Sequence, residues 1–438
     1  MARRETTLEL PQPSKTAIYL SGPELDGYRK AYLGREIGHG AYARVCEIDT
    51  TSTSDVEAPL LAKLYIDKPR DDMDRFIQAV HDTGLGYIGP HLKRESFEVM
   101  KKKAHYAVAA PLYLVKYSRD GEVIGVAVRQ LDTNRFTAIS DYYGMRLVDE
   151  LPISLIAAIR LVLLVTDIHK RGFVIGDFSA SNILIDREGH VAIIDCDSFL
   201  LAGSGSDGQR ADITINWRAP ECKGTQRLTF ASDIFVLGLH ISKLLFSGIG
   251  PFDAPDPQNP NSIPQDNIDA NRSWLWDDDI DTPDMIAQSR GLSDLPPRLR
   301  TSLQAALSQN PDLRPLDCTE LLRALNDTLE GLIQGTCGHY RMYGDHCRYC
   351  GSSTQAVRPT PRTPPAAATP EDVPRALPLP TEPAPIAIKP DLPELQPEPQ
   401  VSPSSATDTS DHRKYGCIDY FIIFIFVCIN IIFLMNHC

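Results

Sequence analysis

The sequence predicts an α+β fold in which strands come early and helices late, and three observations predict it. L-L-A-K-L-Y-I around Lys63, A-V-A-A-P-L-Y-L-V before Lys116 and V-I-G-V-A-V-R-Q-L ending at Leu131 read as strands bounded by polar turns. Longer apolar runs, from Ile153 to His169 and through F-V-L-G-L-H-I-S-K-L-L-F after Asp233, have the length of buried helices. Between the two regions stands V-I-G-D-F-S-A-S-N-I-L-I-D, followed by V-A-I-I-D-C-D-S-F. The apolar runs within it read as a short hairpin, and they space Asp177, Asn182 and Asp195 along the chain.

Taken in chain order, Ile37 to Val45 reads I-G-H-G-A-Y-A-R-V, in which Gly38 and Gly40 keep the first two glycines of a G-x-G-x-x-G-x-V loop and Ala43 takes the place of the third. Lys63 follows in its strand. Asp74 lies on an amphipathic helical pattern, D-D-M-D-R-F-I-Q-A-V, and Glu95 precedes the next strand. The run from Ile153 to His169 is interrupted by Arg160 and Asp167, which favours a buried core helix over a membrane span. Downstream come Arg218, Ala219, Pro220 and Glu221, then Ala231-Ser232-Asp233, then N-P-D-L-R-P with Arg314.

Over residues 30–350 these segments resemble the protein kinase-like superfamily. They are most similar to a bacterial group in which H-R-D becomes I-G-D and D-F-G becomes D-C-D-S-F, with a small zinc module behind the lobes. The resemblance implies a bilobal protein kinase-like fold, a small β-rich N-lobe and a larger helical C-lobe. It divides the chain into an N-terminal extension (1–30), N-lobe (31–131), C-lobe (132–332), zinc-binding module (333–353), Pro-rich linker (354–414) and C-terminal transmembrane anchor (417–438). It implies that Asp177 accepts a substrate hydroxyl proton while Asn182 and Asp195 hold Mg²⁺ or Mn²⁺. Lys63 would meet the α- and β-phosphates of ATP under Ile37, Gly38, Gly40 and Val45, with the backbone of Gln130 and Leu131 at the adenine edge. Asp233 would hold the catalytic-loop backbone, and Glu221 should meet Arg314.

Three departures bear on mechanism. Gly176 replaces the H-R-D arginine, so a phosphorylated activation loop lacks its usual counter-charge there. Ser179 replaces a lysine common in serine/threonine kinases. Asp197 replaces the glycine of D-F-G, as an extra metal-shell oxygen or a cap for the following turn, and Asp74 and Glu95 compete as the acidic partner of Lys63. The implied activity is ATP-dependent phosphorylation of serine or threonine on an unidentified protein substrate. A catalytically weak or inactive ATP-binding scaffold is the alternative, and a small-molecule kinase a third.

Of ten cysteines, three cluster with histidines in T-C-G-H-Y-R-M-Y-G-D-H-C-R-Y-C-G. Cys337, His339, Cys347 and Cys350 suit a structural Zn²⁺, with His346 a rival fourth ligand and a redox C-x-x-C the other reading. After Val357 the Pro, Ala, Thr, Ser and Glu content leaves little to bury, as in a disordered linker. Tyr420 to Met435 is uncharged and apolar except for Asn430, and Cys417 to Cys438 reaches spanning length. Arg413 and Lys414 precede it, and M-A-R-R-E-T-T-L-E-L at the start has no apolar signal region. The expected placement is a single pass in the cell membrane with the lobes cytoplasmic. A net charge of −13 argues against a nucleic-acid partner.

Overall fold

The computed structural model describes residues 16–353, apart from 52–55, 57–58, 68, 88–105, 133–134, 145–150, 203–212, 225–227, 260, 278, 282 and 284–290. Glu95, the linker (354–414) and the C-terminal apolar segment (417–438) lie outside the described residues.

Strict alternation builds the first lobe. In β1 (Ala17–Ser21), Ile18 and Leu20 point inward, and Leu60, Ala62 and Leu64 do so in β4 (Leu60–Tyr65). With β2 (Arg29–His39), β3 (Ala43–Asp49), β6 (Pro111–Lys116) and β7 (Val123–Arg129) they close a barrel in the order β1-β2-β3-β4-β7-β6. The period of two that buries Leu60, Ala62 and Leu64 turns Lys63 and Tyr65 together to the other face.

Two expectations change here. The extension expected at 1–30 contains β1, which pairs with both β2 and β6 and closes the barrel, so this lobe starts by Ala17. The single strand expected in A-V-A-A-P-L-Y-L-V is two. Tyr106–Val108 forms β5, which runs parallel to β11 (Val191–Ile193), and the chain re-enters the barrel at Pro111. Pro111 has no N–H to donate and restricts Ala110, so the strand breaks there. The Ala109 N–H, donated to Ile193 O at 2.9 Å, ties the break to the larger lobe. The division between lobes therefore does not fall at 131 alone.

β5 joins β8 (Thr137–Ala138), β10 (Ile183–Ile185) and β11 in a four-stranded sheet of order β5-β11-β10-β8. β9 (Phe173–Val174) pairs with β12 (Leu200–Leu201). Helix α1 (Met73–Asp82) packs on β6, and α2 (Ile139–Gly144) follows β8. The expected apolar helix is α3 (Leu151–Lys170). Among the described residues it is the one helix long and apolar enough to cross a membrane, and Leu155, Leu161, Val162, Leu164, Val165 and Ile168 are fully buried in the core. Each such side chain contributes about 1.5–3 kcal/mol.

α3 lies against α4 (Phe230–Leu245) and α7 (Thr319–Glu330), with α5 (Pro264–Asp269) and α6 (Pro297–Ala306) completing the helical layer. Thr229 and Ser232 cap α4 reciprocally, which fixes the orientation of its first turn. β13 (Ile333–Gln334) and β14 (Tyr340–Arg341) form a small hairpin near the end of the described residues, within the same compact unit as the lobes.

Candidate active site

The roof of the site follows from strand register. Gly38 stands opposite Val45, Val45 opposite Lys63 and Lys63 opposite Val126, so these four share one face of the barrel wall. Ile37 lies at the irregularity between Glu36 and Gly38. The β2–β3 turn is held by the Gly40 N–H donated to Ala43 O at 2.9 Å. Gly38 and Gly40 both have ordinary negative φ, and a methyl on either would meet nothing nearer than 3.7 Å. The fold itself therefore does not require glycine at either position, whereas close backbone approach to a ligand does. Ala43 stands opposite Tyr65, on the face that Lys63 shares, and is itself buried.

Lys63 Nζ donates to Asp195 Oδ1 at 2.7 Å and to both oxygens of Asp197 at 2.9 and 3.0 Å. Burial opposes its charge, yet Asp197 and Asp195 outweigh burial and hold the ammonium well above its ordinary pKa. Of the two acids expected to compete for Lys63, Glu95 lies outside the described residues. Asp74 is exposed in the first turn of α1, and the carboxylates bonded to Lys63 among the described residues are Asp195 and Asp197. Asp197 does not cap the turn after it; it also accepts from Tyr65 O–H at 2.7 Å. Arg70, just before α1, donates to Asp197 O at 3.1 Å and Phe199 O at 2.7 Å. Asp195 sits in the left-handed region at φ 61°, which costs about 1 kcal/mol for a side-chain-bearing residue.

Across the cleft, Asp177 Oδ2 accepts from Asn182 Nδ2 at 3.0 Å, Thr214 Oγ1 at 2.8 Å and Ser179 Oγ at 3.2 Å. Its Oδ1 accepts from the Thr214 N–H at 3.2 Å. Burial raises the Asp195 pKa; Lys63 opposes this, and the Asp197 and Asp177 charges add to it, so the three carboxylates share one electrostatic environment. Asp233 Oδ2 accepts from the Ile175 N–H and from His169 Nε2, both at 2.8 Å, which anchors the backbone just before Asp177 to the N-terminus of α4. Gly176 has a steric reason. A Cβ there would stand 2.2 Å from Ser198 O, so I-G-D and D-C-D-S-F are one coupled departure: the second loop fills the space a side chain at 176 would need. Thr214 was missed in the sequence; its only signal was its place shortly before R-A-P-E.

Residues 149–324 match the family model for the protein kinase domain. That segment, less than half of the chain, resembles a protein kinase domain. The chain is 24% identical over 240 residues to the atypical protein kinase C of Drosophila melanogaster, spanning 54% of this chain but only 36% of that protein. Among solved structures it is similar to ROP2 from Toxoplasma gondii, titled a virulence factor with a protein-kinase fold and no enzymatic activity. That likeness has 14% identity and a TM-score of 0.43, over 72% of this chain and 84% of that one.

Gln130 and Leu131 follow β7 directly, and the Gln130 N–H is donated to Pro59 O at 3.0 Å. That group is already engaged, so of the expected adenine edge the Gln130 carbonyl and the Leu131 backbone are the groups left to serve. Glu221 and Arg314 meet as expected, in a bidentate pair of 2.6 and 2.8 Å, with the Arg314 side chain fully buried.

Behind the loop that carries Asp177 and Asn182, His240 of α4 is fully buried between Phe178 and Trp217, whose ring stacks on it at 4.1 Å. Nε2–H donates to Phe178 O at 2.9 Å, which makes Nδ1 the acceptor of the Tyr143 O–H, also 2.9 Å away. Burial lowers its pKa to about 3. The unfolded chain binds a proton below about 6.5 where the folded one does not, so this contribution to stability is complete above about 6.5 and is lost as pH falls toward 3. From pH 7.5 to 5.5 the loss is expected to be about 1.4 kcal/mol. Urea midpoints at both pH values should show it in the unmutated protein and not in His240→Gln; an equal loss in both would remove His240 as the cause.

The Cys/His cluster is formed as expected. The ligand atoms of Cys337, His339, Cys347 and Cys350 all lie within 4.8 Å of one another. Tetrahedral zinc with Zn–S bonds of about 2.3 Å has edges of about 3.8 Å, so the set fits. Hydrogen bonds from Ser352 bring the Cys350 thiol down to about 7. The rival His346 turns instead to Asp294, 3.3 Å away. Arg341 and Arg348 are buried, and Arg348 stacks on Phe246 at 4.9 Å just past the end of α4.

Proposed function

We propose that this chain is a membrane-anchored, bacterial-type serine/threonine protein kinase that moves the γ-phosphoryl group of ATP to a protein hydroxyl. The observation that supports the reading is the meeting of Lys63, Asp195, Asn182 and Asp177 in one electrostatically coupled cluster below the Gly38 and Gly40 turn.

The donor set fits the groups this activity needs. Asn182 spends its Nδ2 on Asp177, and among the described residues its Oδ1 and the Asp195 Oδ2 carry no hydrogen bond. Two such oxygens suit Mg²⁺ or Mn²⁺. When bound, metal–ATP supplies a γ-phosphoryl group whose charge the metal partly neutralises. Lys63 holds the phosphates, and the turn that carries Gly38 and Gly40, with no side chain at either position, covers them. Asp177, steadied by Thr214 and Ser179, orients the acceptor hydroxyl and takes its proton. Cys337, His339, Cys347 and Cys350 hold a structural Zn²⁺, and 417–438 anchors the chain with the kinase domain in the cytoplasm.

The test is transfer of labelled γ-phosphate by the full chain in detergent to itself and to a generic protein acceptor. Label from the unmutated chain that is absent from Asp195→Ala supports the kinase. Binding of ATP without transfer would leave a nucleotide-dependent scaffold, and neither binding nor transfer would end the reading. Fractionation of the same preparation with membranes after an alkaline wash tests the anchor. The zinc assignment predicts one zinc per chain by elemental analysis and a lowered melting temperature after chelation; metal-free protein that melts unchanged refutes it.

A further inference from the structure

Helix α1 is built without an acid for Lys63. Its buried face is Met73, Phe76, Ile77 and Val80, and its acids, Asp74 and Asp82, are both exposed. The Lys63 side chain is only 16% exposed, and an ammonium so placed needs a carboxylate. Two reach it, and they differ. Asp195 offers one oxygen and its side chain is 51% exposed, whereas Asp197 offers two and is 12% exposed. On the kinase reading, Asp195 turns to the metal, and Asp197 is then the carboxylate left on Lys63.

We propose that Asp197 is the positioning residue of Lys63, supplying from the D-C-D-S-F segment the counter-charge that α1 does not supply; the inference rests on the kinase reading. Two further contacts hold Asp197 in that role. Tyr65, two residues along β4 from Lys63, donates to its Oδ2, and Arg70 donates to its backbone carbonyl. Fully buried Cys196 pins the segment, and the absence of a side chain at Gly176 lets the Ser198 backbone close against the catalytic loop. The lysine and the metal carboxylate are thereby set by one short loop. The Lys63–Asp197 pair itself uses no residue of α1, so this segment supplies the counter-charge that keeps Lys63 in place.

The experiment measures steady-state transfer and ATP affinity across Mg²⁺ concentration for the full chain and for Asp197→Asn, Tyr65→Phe, Asp74→Asn and Glu95→Gln. Asp197→Asn is expected to raise the KM for ATP and lower kcat/KM by about 10²-fold, the scale of a misplaced phosphate contact, with half-saturating Mg²⁺ unchanged. Tyr65→Phe should shift both in the same direction by less, and Asp74→Asn and Glu95→Gln should leave them unchanged. Recovery of Asp197→Asn by excess Mg²⁺ or by Mn²⁺ would make Asp197 a metal ligand and overturn the proposal. A loss carried by Glu95→Gln, or an Asp197→Asn protein equal to the unmutated one, would also overturn it. Nucleotide-free melting separates misplacement from unfolding, and if Asp197→Asn does not fold, Tyr65→Phe decides. An unmutated chain that neither binds nor uses ATP fails the kinase reading and this inference together; one that does, beside an unaffected Asp197→Asn, fails this inference alone.

Discussion

On the kinase reading, Asp177→Asn is expected to lower γ-phosphoryl transfer by about 10²–10⁴-fold, the usual contribution of a positioned general base, while ATP still stabilises the protein against heat. The substitution is isosteric. The amide oxygen can still accept from Asn182 Nδ2 and from Thr214, which now bond the carboxylate at 3.0 and 2.8 Å, so the loop keeps its shape. What disappears is the negative charge that takes the hydroxyl proton. Neither Lys63 nor Asp195 is bonded to Asp177, so nucleotide binding should survive. Transfer and thermal stabilisation measured side by side check both halves. Undiminished transfer would place the base elsewhere, and lost stabilisation would show that Asp177 shapes the nucleotide site itself.

Glu221→Ala should cost about 3–5 kcal/mol, the penalty for removing one partner of a buried ion pair. The Arg314 side chain has no solvent exposure, and its guanidinium would keep only the carbonyls of Ser308, Ala231 and Gln309 and the Phe235 ring. None of these carries a compensating charge. The pair also ties the 3₁₀ turn at Pro220–Cys222 to the loop before α7, so the loss falls on the architecture that supports the catalytic loop. Urea unfolding should show a lower midpoint with an unchanged slope. A change of less than about 1 kcal/mol would mean that water in the adjoining cleft, lined by Glu221, Asp312 and Arg314, already solvates the pair.

Much of the site was legible because its chemistry depends on short, local spacings. Asp177 and Asn182 lie on one loop, so a five-residue interval suffices to bring them within 3.0 Å. Cys347 and Cys350 are read the same way. The choice between His339 and His346 was not, since both are near in sequence and only Asp294, on a distant loop, draws His346 away. The A-V-A-A-P-L-Y-L-V run was misread as one strand because pattern does not say which sheet each half will join.

The sequence by itself determined which residues could act and which side of each element they face. Strand period sets Lys63 and Tyr65 on one face of β4, and helical period leaves Asp74 in solvent. Only the tertiary structure decided which acid answers Lys63. Asp197 is 134 residues away, and its approach depends on the Arg70 contacts and on the empty space at Gly176. Periodicity is a local property of the chain, whereas a counter-charge is chosen by whichever loop the packed lobes bring within hydrogen-bond distance.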